Sequence, residues 1–280
     1  MAVINGTTGA DVIRGGSGAD TIYGDAGSDF LFGNTGGDTL DGEAGDDVLR
    51  GGPGADVLRG GTGNDTLKGG AGDDGMEGQS GDDRLLGNAG SETITGSIGA
   101  DMISGGEDAD RLYGNQGDDL VFGGAGADLL SGGTGSDLLN GGGEADTIFA
   151  GGGDDRLKGG AGNDSLEGGG GRDLMFGGAG SDTFIYNSVG ESGFGGARDV
   201  ISGFETGADT IDLSAVDALP AIPGDFDFTF ITGSFSGAGQ VRVVDQGARY
   251  IVQAEIDGDN NADLEFLVFG DEPVEADFVL

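Results

Sequence analysis

From Gly6 to Ile185 the chain repeats one nine-residue unit without insertion or deletion, so its 180 residues divide into 20 units. The unit reads G-G-x-G-x-D-x-U-x, where U is a large apolar residue. Gly15-Gly16-Ser17-Gly18-Ala19-Asp20-Thr21-Ile22-Tyr23 is one copy, and Gly60 to Lys68 is another. The sixth position is Asp in 19 units and Glu92 in the other. The eighth is apolar in all 20, from Ile13 to Phe184, and the fourth is Gly in 18, the exceptions being Asp108 and Glu144. A fixed period of this kind constrains architecture more than any local propensity, because each unit must stack on its neighbours to bury its apolar residue. Sequences rich in Gly and Asp are commonly disordered, but disorder gives no reason for an invariant apolar eighth position.

The glycines of the first six positions suit a turn, since Gly adopts positive φ at little cost. The last three positions suit a short strand whose middle residue points inward. Two units make an 18-residue coil with a strand on each side. Ten such coils, stacked at about 4.8 Å, give a parallel β-roll about 48 Å long. Its core is one side chain thick on each side, which is little apolar burial to set against the entropy lost by so many glycines. The unit resembles the calcium-binding nonapeptide of the repeats-in-toxin (RTX) family. That resemblance implies a calcium-stabilised roll, with Asp side chains and turn carbonyls of successive loops sharing each ion.

The coil geometry itself points to cations. Loops 18 residues apart in sequence lie one strand spacing apart in space, so the sixth positions form two columns. One holds Asp11, Asp29, Asp47, Asp65, Asp83, Asp101, Asp119, Asp137, Asp155 and Asp173; the other holds Asp20, Asp38, Asp56, Asp74, Asp110, Asp128, Asp146, Asp164 and Asp182, with Glu92 in its middle. Stacked carboxylates repel unless a hard cation lies between them, and Ca2+ accepts six to eight oxygen ligands. All 19 Asp residues are therefore candidate metal ligands. Nine gaps in each column allow up to about 18 ions, whose charge of about +36 would nearly cancel the formal net charge of −39. Glu92, Asp108 and Glu144 all fall in the column that starts at Asp20, which predicts weaker or fewer ions in its middle. Eight of the 12 basic residues (Arg14, Arg50, Arg59, Lys68, Arg84, Arg111, Arg156 and Lys158) occupy outward strand positions, away from the loops.

Apolar outward residues also recur: Phe30, Phe32, Leu120, Phe122, Leu138, Leu174 and Phe176, all expected on one sheet. They mark a candidate surface for a protein or cell-surface glycan partner. An excess of 51 acidic over 12 basic residues argues against nucleic acid and anionic membranes. No apolar run has the length of a transmembrane helix. The N-terminus lacks the pattern of a cleaved signal peptide. The resemblance implies instead a secreted, extracellular protein exported by type I secretion machinery through its uncleaved C-terminus. Asp277-Phe278-Val279-Leu280 resembles the terminus of serralysin-type secretion signals.

The expected domains are residues 1–185, the roll, and residues 186–280, a β-rich C-terminal cap. Asp199 to Phe204 and Asp209 to Leu213 resemble the closing segment of serralysin-type proteases. Strands are expected at Asp227 to Ile231, Gln240 to Val244, Ala248 to Ile256 and Leu264 to Phe269, with a hairpin turn at Asp245-Gln246-Gly247. Asp257 to Glu265 places oxygen side chains as the start of an EF-hand loop does, but Ala262 replaces the turn Gly and Val268 the bidentate Glu, so a polar hairpin turn is expected there. The fold class is therefore all-β.

With no His and no Cys, a zinc-protease H-E-x-x-H, a Ser-His-Asp triad and thiol chemistry are all excluded. No catalytic role is expected. The expected function is that of a secreted calcium-binding RTX protein that folds on binding many Ca2+ ions and serves as a scaffold or interaction protein. The alternative is the calcium-binding and secretion module of a larger exported enzyme, such as a protease, lipase or alginate epimerase.

Overall fold

The computed structural model describes residues 1–216, 228–236, 238–257 and 259–280. Almost all of its regular structure is strand; the exceptions are two single-turn 3-10 helices, Gly195–Ala197 and Glu275–Asp277. Two compact units are formed, Met1–Asp146 and Thr147–Leu280. The change from repeat to cap expected after residue 185 lies inside the second.

In the first unit the strands alternate between two parallel sheets, and each strand pairs with the strand 18 residues away. Val3–Asn5 pairs with Thr21–Tyr23 in the register Ile4 to Ile22, and Arg84–Ala89 pairs with Met102–Glu107 in the register Leu85 to Ile103. This is a parallel β-solenoid with an 18-residue coil. Every eighth-position residue from Ile22 to Leu139 is buried, most with no exposed surface; Ile13, in the first repeat, is only half-buried. Burying one such side chain contributes about 1.5–3 kcal/mol.

The strands are longer than the repeat suggests. Most run six residues, as in Thr66–Ala71, and so include the first three positions of the following unit. The ladder skips only position one: Leu86 pairs with Ser104 and Asn88 with Gly106, while Gly87 is passed over. The N–H groups of the G-G-x segment have parallel partners one coil away, and only positions four to six remain as turn. Period-two alternation does not reveal this, because glycine has no side chain to mark a face.

The second unit repeats this construction from Thr147–Gly152 to Thr183–Ile185 and then departs from the period. Thr210–Asp212 pairs in parallel with Thr183–Ile185, and Phe278–Val279 with Thr210–Asp212. On the opposite sheet Val200–Phe204 follows Leu174–Ala179, and Leu264–Gly270 follows Val200–Phe204. The sheet then turns antiparallel through Tyr250–Glu255 and Gln240–Asp245, joined by the expected hairpin at Asp245 to Gly247. Thr229–Ile231 pairs in parallel with Gln240–Asp245; the expected start of that strand at Asp227 lies outside the described residues. Phe30, Phe32, Leu120, Phe122 and Leu138 lie on one sheet of the first unit, and Leu174 and Phe176 lie together on one sheet of the second. Arg14 covers the Phe32 ring at 4.7 Å.

Candidate metal centre

Every column carboxylate is placed by the turn that precedes its strand. In the first unit the Oδ1 atom of each Asp accepts the backbone N–H of the Asp one coil before it, at 2.7–2.8 Å. The bonds run Asp11 to Asp29, Asp29 to Asp47 and onward to Asp137, and Asp20 to Asp38 and onward to Asp74. The ladder resumes from Glu92 to Asp110 and ends in this unit with Asp128 to Asp146. In the second unit Asp155 donates to Asp173 and Asp164 to Asp182. Asp11 is half-buried and the other column carboxylates are buried; those from Asp29 to Asp182 are at most 3% exposed.

One oxygen of each of these aspartates is thereby satisfied. The other, Oδ2, has no hydrogen-bond partner at Asp29, Asp38, Asp47, Asp56, Asp65, Asp74, Asp83, Asp101, Asp110, Asp119 and Asp128, nor at Asp173 and Asp182. At Asp29, Asp38, Asp47, Asp65, Asp83, Asp110, Asp119 and Asp128 a backbone carbonyl lies beside the same cleft. At Gly24 the point where a Cβ would stand is 2.5 Å from Asp29 Oδ2 and 2.6 Å from the carbonyl oxygen of Gly42; at Gly33 the corresponding atoms are Asp38 Oδ2 at 2.5 Å and Gly51 O at 2.7 Å. A carboxylate oxygen and a carbonyl oxygen thus converge on a cleft that exists only because position one carries no side chain. Leaving a buried charged oxygen without a partner costs several kcal/mol. An all-oxygen donor set aimed at one cleft is the chemistry of a hard cation such as Ca2+, so these residues fit the ion.

The electrostatics agree. Burial lifts the carboxyls of Asp47, Asp83 and Asp119 to about 7, opposed by the N–H bond each accepts and reinforced by neighbouring carboxylates. Burial likewise takes Asp65, Asp74, Asp101 and Asp128 to about 6. The basic outward residues do not relieve this charge, since their side chains stand on the solvent face of the strands, exposed except for half-buried Arg59.

The column that starts at Asp20 is irregular where the repeat is. Both carboxylate oxygens of Glu92 are buried and accept no backbone N–H, and the side chain lies against that of Asp110. Burial and the adjacent Asp110 raise its pKa well above the ordinary range. Asp108 and Glu144 keep the turn by adopting positive φ themselves, 69° and 73°. For L-residues that conformation costs about 1–2 kcal/mol.

Three features were not anticipated from the sequence. Position five carries a second ladder of opposite polarity: Asn64 N–H donates to Asp46 Oδ1 at 2.8 Å, Asp82 N–H to Asn64 Oδ1 at 3.0 Å, and Ala100 N–H to Asp82 Oδ1 at 2.9 Å. Recurrent Asp and Asn at that position was the available signal. Secondly, Asp199 and Asp209 continue the carboxylate ladder past the last repeat, accepting from Asp173 and Asp182 at 2.9 and 3.1 Å. Thirdly, one carboxylate oxygen each from Glu255, Asp257 and Asp263 lie within 4.8 Å of one another at the hairpin read as a polar turn. Gly258 of that hairpin is outside the described residues.

The profile described as RTX calcium-binding nonapeptide repeat (4 copies) matches residues 3–31, 24–58, 32–66, 50–85, 86–121, 122–157 and 149–184. The chain belongs to this RTX repeat family. Nonapeptide repeats of the family bind calcium, and the solenoid described above is a calcium-binding β-roll. Similar solved structures include two solution structures from the Azotobacter vinelandii mannuronan C5-epimerase. The AlgE6R3 subunit is 27% identical, with 62% of this chain and 78% of that one covered and a TM-score of 0.31. The AlgE6R2 subunit is 28% identical, with 49% and 83% covered and a TM-score of 0.34. No curated protein matches the RTX chain. Among its described residues no helix is long and apolar enough to cross a membrane.

Proposed function

We propose that the 19 repeat aspartates bind calcium, that the roll folds when they do so outside the cell after type I export, and that the folded chain is a non-catalytic extracellular scaffold or interaction protein. The observation that carries this reading is the row of buried Oδ2 atoms without hydrogen-bond partners, many of them beside a carbonyl oxygen at the position-one glycine. Ions that bind only the folded state stabilise it by a term that grows with concentration and sums over sites. Calcium at extracellular levels, about 10⁻⁴–10⁻³ M, is sufficient for modules of modest affinity. In a cell interior, where free calcium is scarce, the same chain is left with unpaired buried charge and stays unfolded, which suits passage through an export channel. RTX repeat proteins are typically exported. The absence of His and Cys supports the non-catalytic part of the reading.

The test is a calcium titration followed by far-ultraviolet circular dichroism and hydrodynamic radius, with magnesium as control. A calcium-specific coil-to-β transition with compaction is expected, at a stoichiometry of up to about 18 ions. A chain that is compact and β-rich in chelator, with no change on adding calcium, refutes it.

A further inference from the structure

The two outer faces of the first unit differ in charge. Eight strands of one sheet, from Val12–Arg14 to Leu138–Gly143, supply sixteen outward side chains at positions seven and nine of the repeat. Nine are apolar, four are cationic and none is Asp or Glu, in a chain with 51 acidic residues. The four cations are Arg14, Arg50, Lys68 and Arg84, all exposed. Among the described residues none of them is in an ion pair. Glu107 ends one of the eight strands at position three, outside these two rows, and exposed Asp46 and Asp82 stand in turns. The other sheet carries Asp41 and Glu77 in its outward rows and pairs Arg59 with Glu77 at 3.9 Å.

The parallel register sets these side chains in two rows. Arg14, Phe32, Arg50 and Lys68 are successive partners in one, and Val12, Phe30 and Val48 in the other. Neighbours in a row are about 4.8 Å apart. The Arg14 guanidinium lies 4.7 Å and that of Arg50 5.8 Å from the centre of the Phe32 ring, which holds both cations against the ring. Phe30 is 45% and Val12 59% exposed. This surface is a sheet face, and the backbone groups of its inner strands are committed to the ladders on either side, so no partner strand can add to it. A hydrated polyanion would pair with the cations and leave the aliphatic side chains in water. A bilayer interface takes both, the apolar groups at the acyl boundary and the cations at the headgroups.

We infer that this face docks on a lipid surface bearing anionic headgroups, with Phe30 and Phe32 at the acyl boundary and Arg14, Arg50 and Lys68 on the phosphates. The inference deepens the reading of the chain as an extracellular interaction protein, and it rests on the roll folding with calcium. The net charge of −39 argues against such a surface only if it is spread evenly, and these two rows carry none of it. Filling the carboxylate ladders with Ca2+ removes most of the remainder. Each Lys or Arg brought to an anionic bilayer strengthens binding about fivefold.

Sedimentation of the full, calcium-folded chain with vesicles tests this, using phosphatidylcholine alone and phosphatidylcholine mixed with phosphatidylglycerol. Binding is expected to the mixed vesicles only, and it should weaken as salt is raised. Arg14→Glu combined with Arg50→Glu leaves every ladder carboxylate in place; it should lower partition at least about 20-fold with the dichroism transition retained. Phe30→Ser should weaken binding at unchanged charge. A folded parent that stays free of both vesicles overturns the inference, and its retention on an anionic polysaccharide in that case assigns the face to a hydrated polyanion. A double variant that binds as the parent does also overturns it, because calcium then bridges protein carboxylates to phosphate. So does a Phe30→Ser variant of parental affinity, which would leave the apolar residues without a part in binding. A chain that fails to fold in calcium is seen in the dichroism and overturns the underlying reading as well.

Discussion

Asp119→Asn should change the stability of the roll in opposite directions with and without calcium. Asp119 is 1% exposed; its Oδ1 accepts the N–H of Asp101 at 2.8 Å, and its Oδ2 is bare. The amide keeps the first acceptor and replaces the charged oxygen with a donor that can meet the carbonyl of Gly132, which lies beside Oδ2 at the Gly114 cleft. Burial first, with Asp137, Asp101 and Asp118 adding to it, moves the Asp119 carboxyl from 3.8 to about 7. A raised carboxyl pKa favours the folded state below the unfolded value and loses that contribution as pH rises through the folded one. At pH 8 the ionised side chain therefore opposes the calcium-free roll by the whole shift, about three pH units or about 4 kcal/mol as an upper bound. In chelator at pH 8, with an osmolyte such as trimethylamine N-oxide added to populate the roll, the variant should gain about 2–4 kcal/mol. In saturating calcium it should lose about 3–5 kcal/mol, the cost of removing one member of a buried charge pair, and bind fewer ions. The assay is denaturant unfolding by circular dichroism in both conditions, with calorimetry for the count. A loss of equal size in both would mean that Asp119 is only a hydrogen-bonding residue and would refute the argument.

Four further outcomes follow from the same geometry. Gly24→Ala places a methyl group 2.5 Å from Asp29 Oδ2 and 2.6 Å from Gly42 O, and overpacking of that kind costs about 1–3 kcal/mol; the variant should need more calcium to fold, measured as a shift in the titration midpoint. Glu144→Gly relieves a residue held at φ 73° and should raise stability in calcium by about 1 kcal/mol, read from denaturant midpoints. In chelator, lowering the pH from 8 to 5 should populate β structure, because protonation of Asp47, Asp83 and Asp119 at about 7 and of Asp65 and Asp74 at about 6 removes buried charge. The same protons compete with calcium, so the ion requirement should rise over that range; dichroism in chelator independent of pH contradicts this. Deleting Asp277 to Leu280 should abolish export and also loosen the sheet edge, since Phe278 pairs with Ile211; secretion at the parental level would remove the signal from the proposal.

The roll was legible from its period because repetition multiplies a weak local signal. An apolar residue at every eighth position, from Ile22 to Phe184, leaves the chain one economical way to bury them, and the same arithmetic stacks Asp29 on Asp47. Composition alone excluded histidine and thiol chemistry. What the period could not convey is how atoms one coil apart meet. The division of labour between Oδ1 and Oδ2, the carbonyl of Gly42 opposite Asp29, and the extension of strands through the G-G-x segment all arise between residues 18 apart. They depend on backbone direction, which glycine leaves unmarked in sequence.

Beyond Ile185 sequence determined less. Asp199-Val200-Ile201 and Asp209-Thr210-Ile211 keep the D-x-U spacing of positions six to eight, yet the 26- and 27-residue steps that bring them onto Asp173 and Asp182 break the period that made the others recognisable. Only the tertiary structure decides that Asp209 accepts the N–H of Glu205 while Asp199 sits against Ser192 and the buried Tyr186. The difference comes from the path each loop takes between distant residues, which residue type alone does not set.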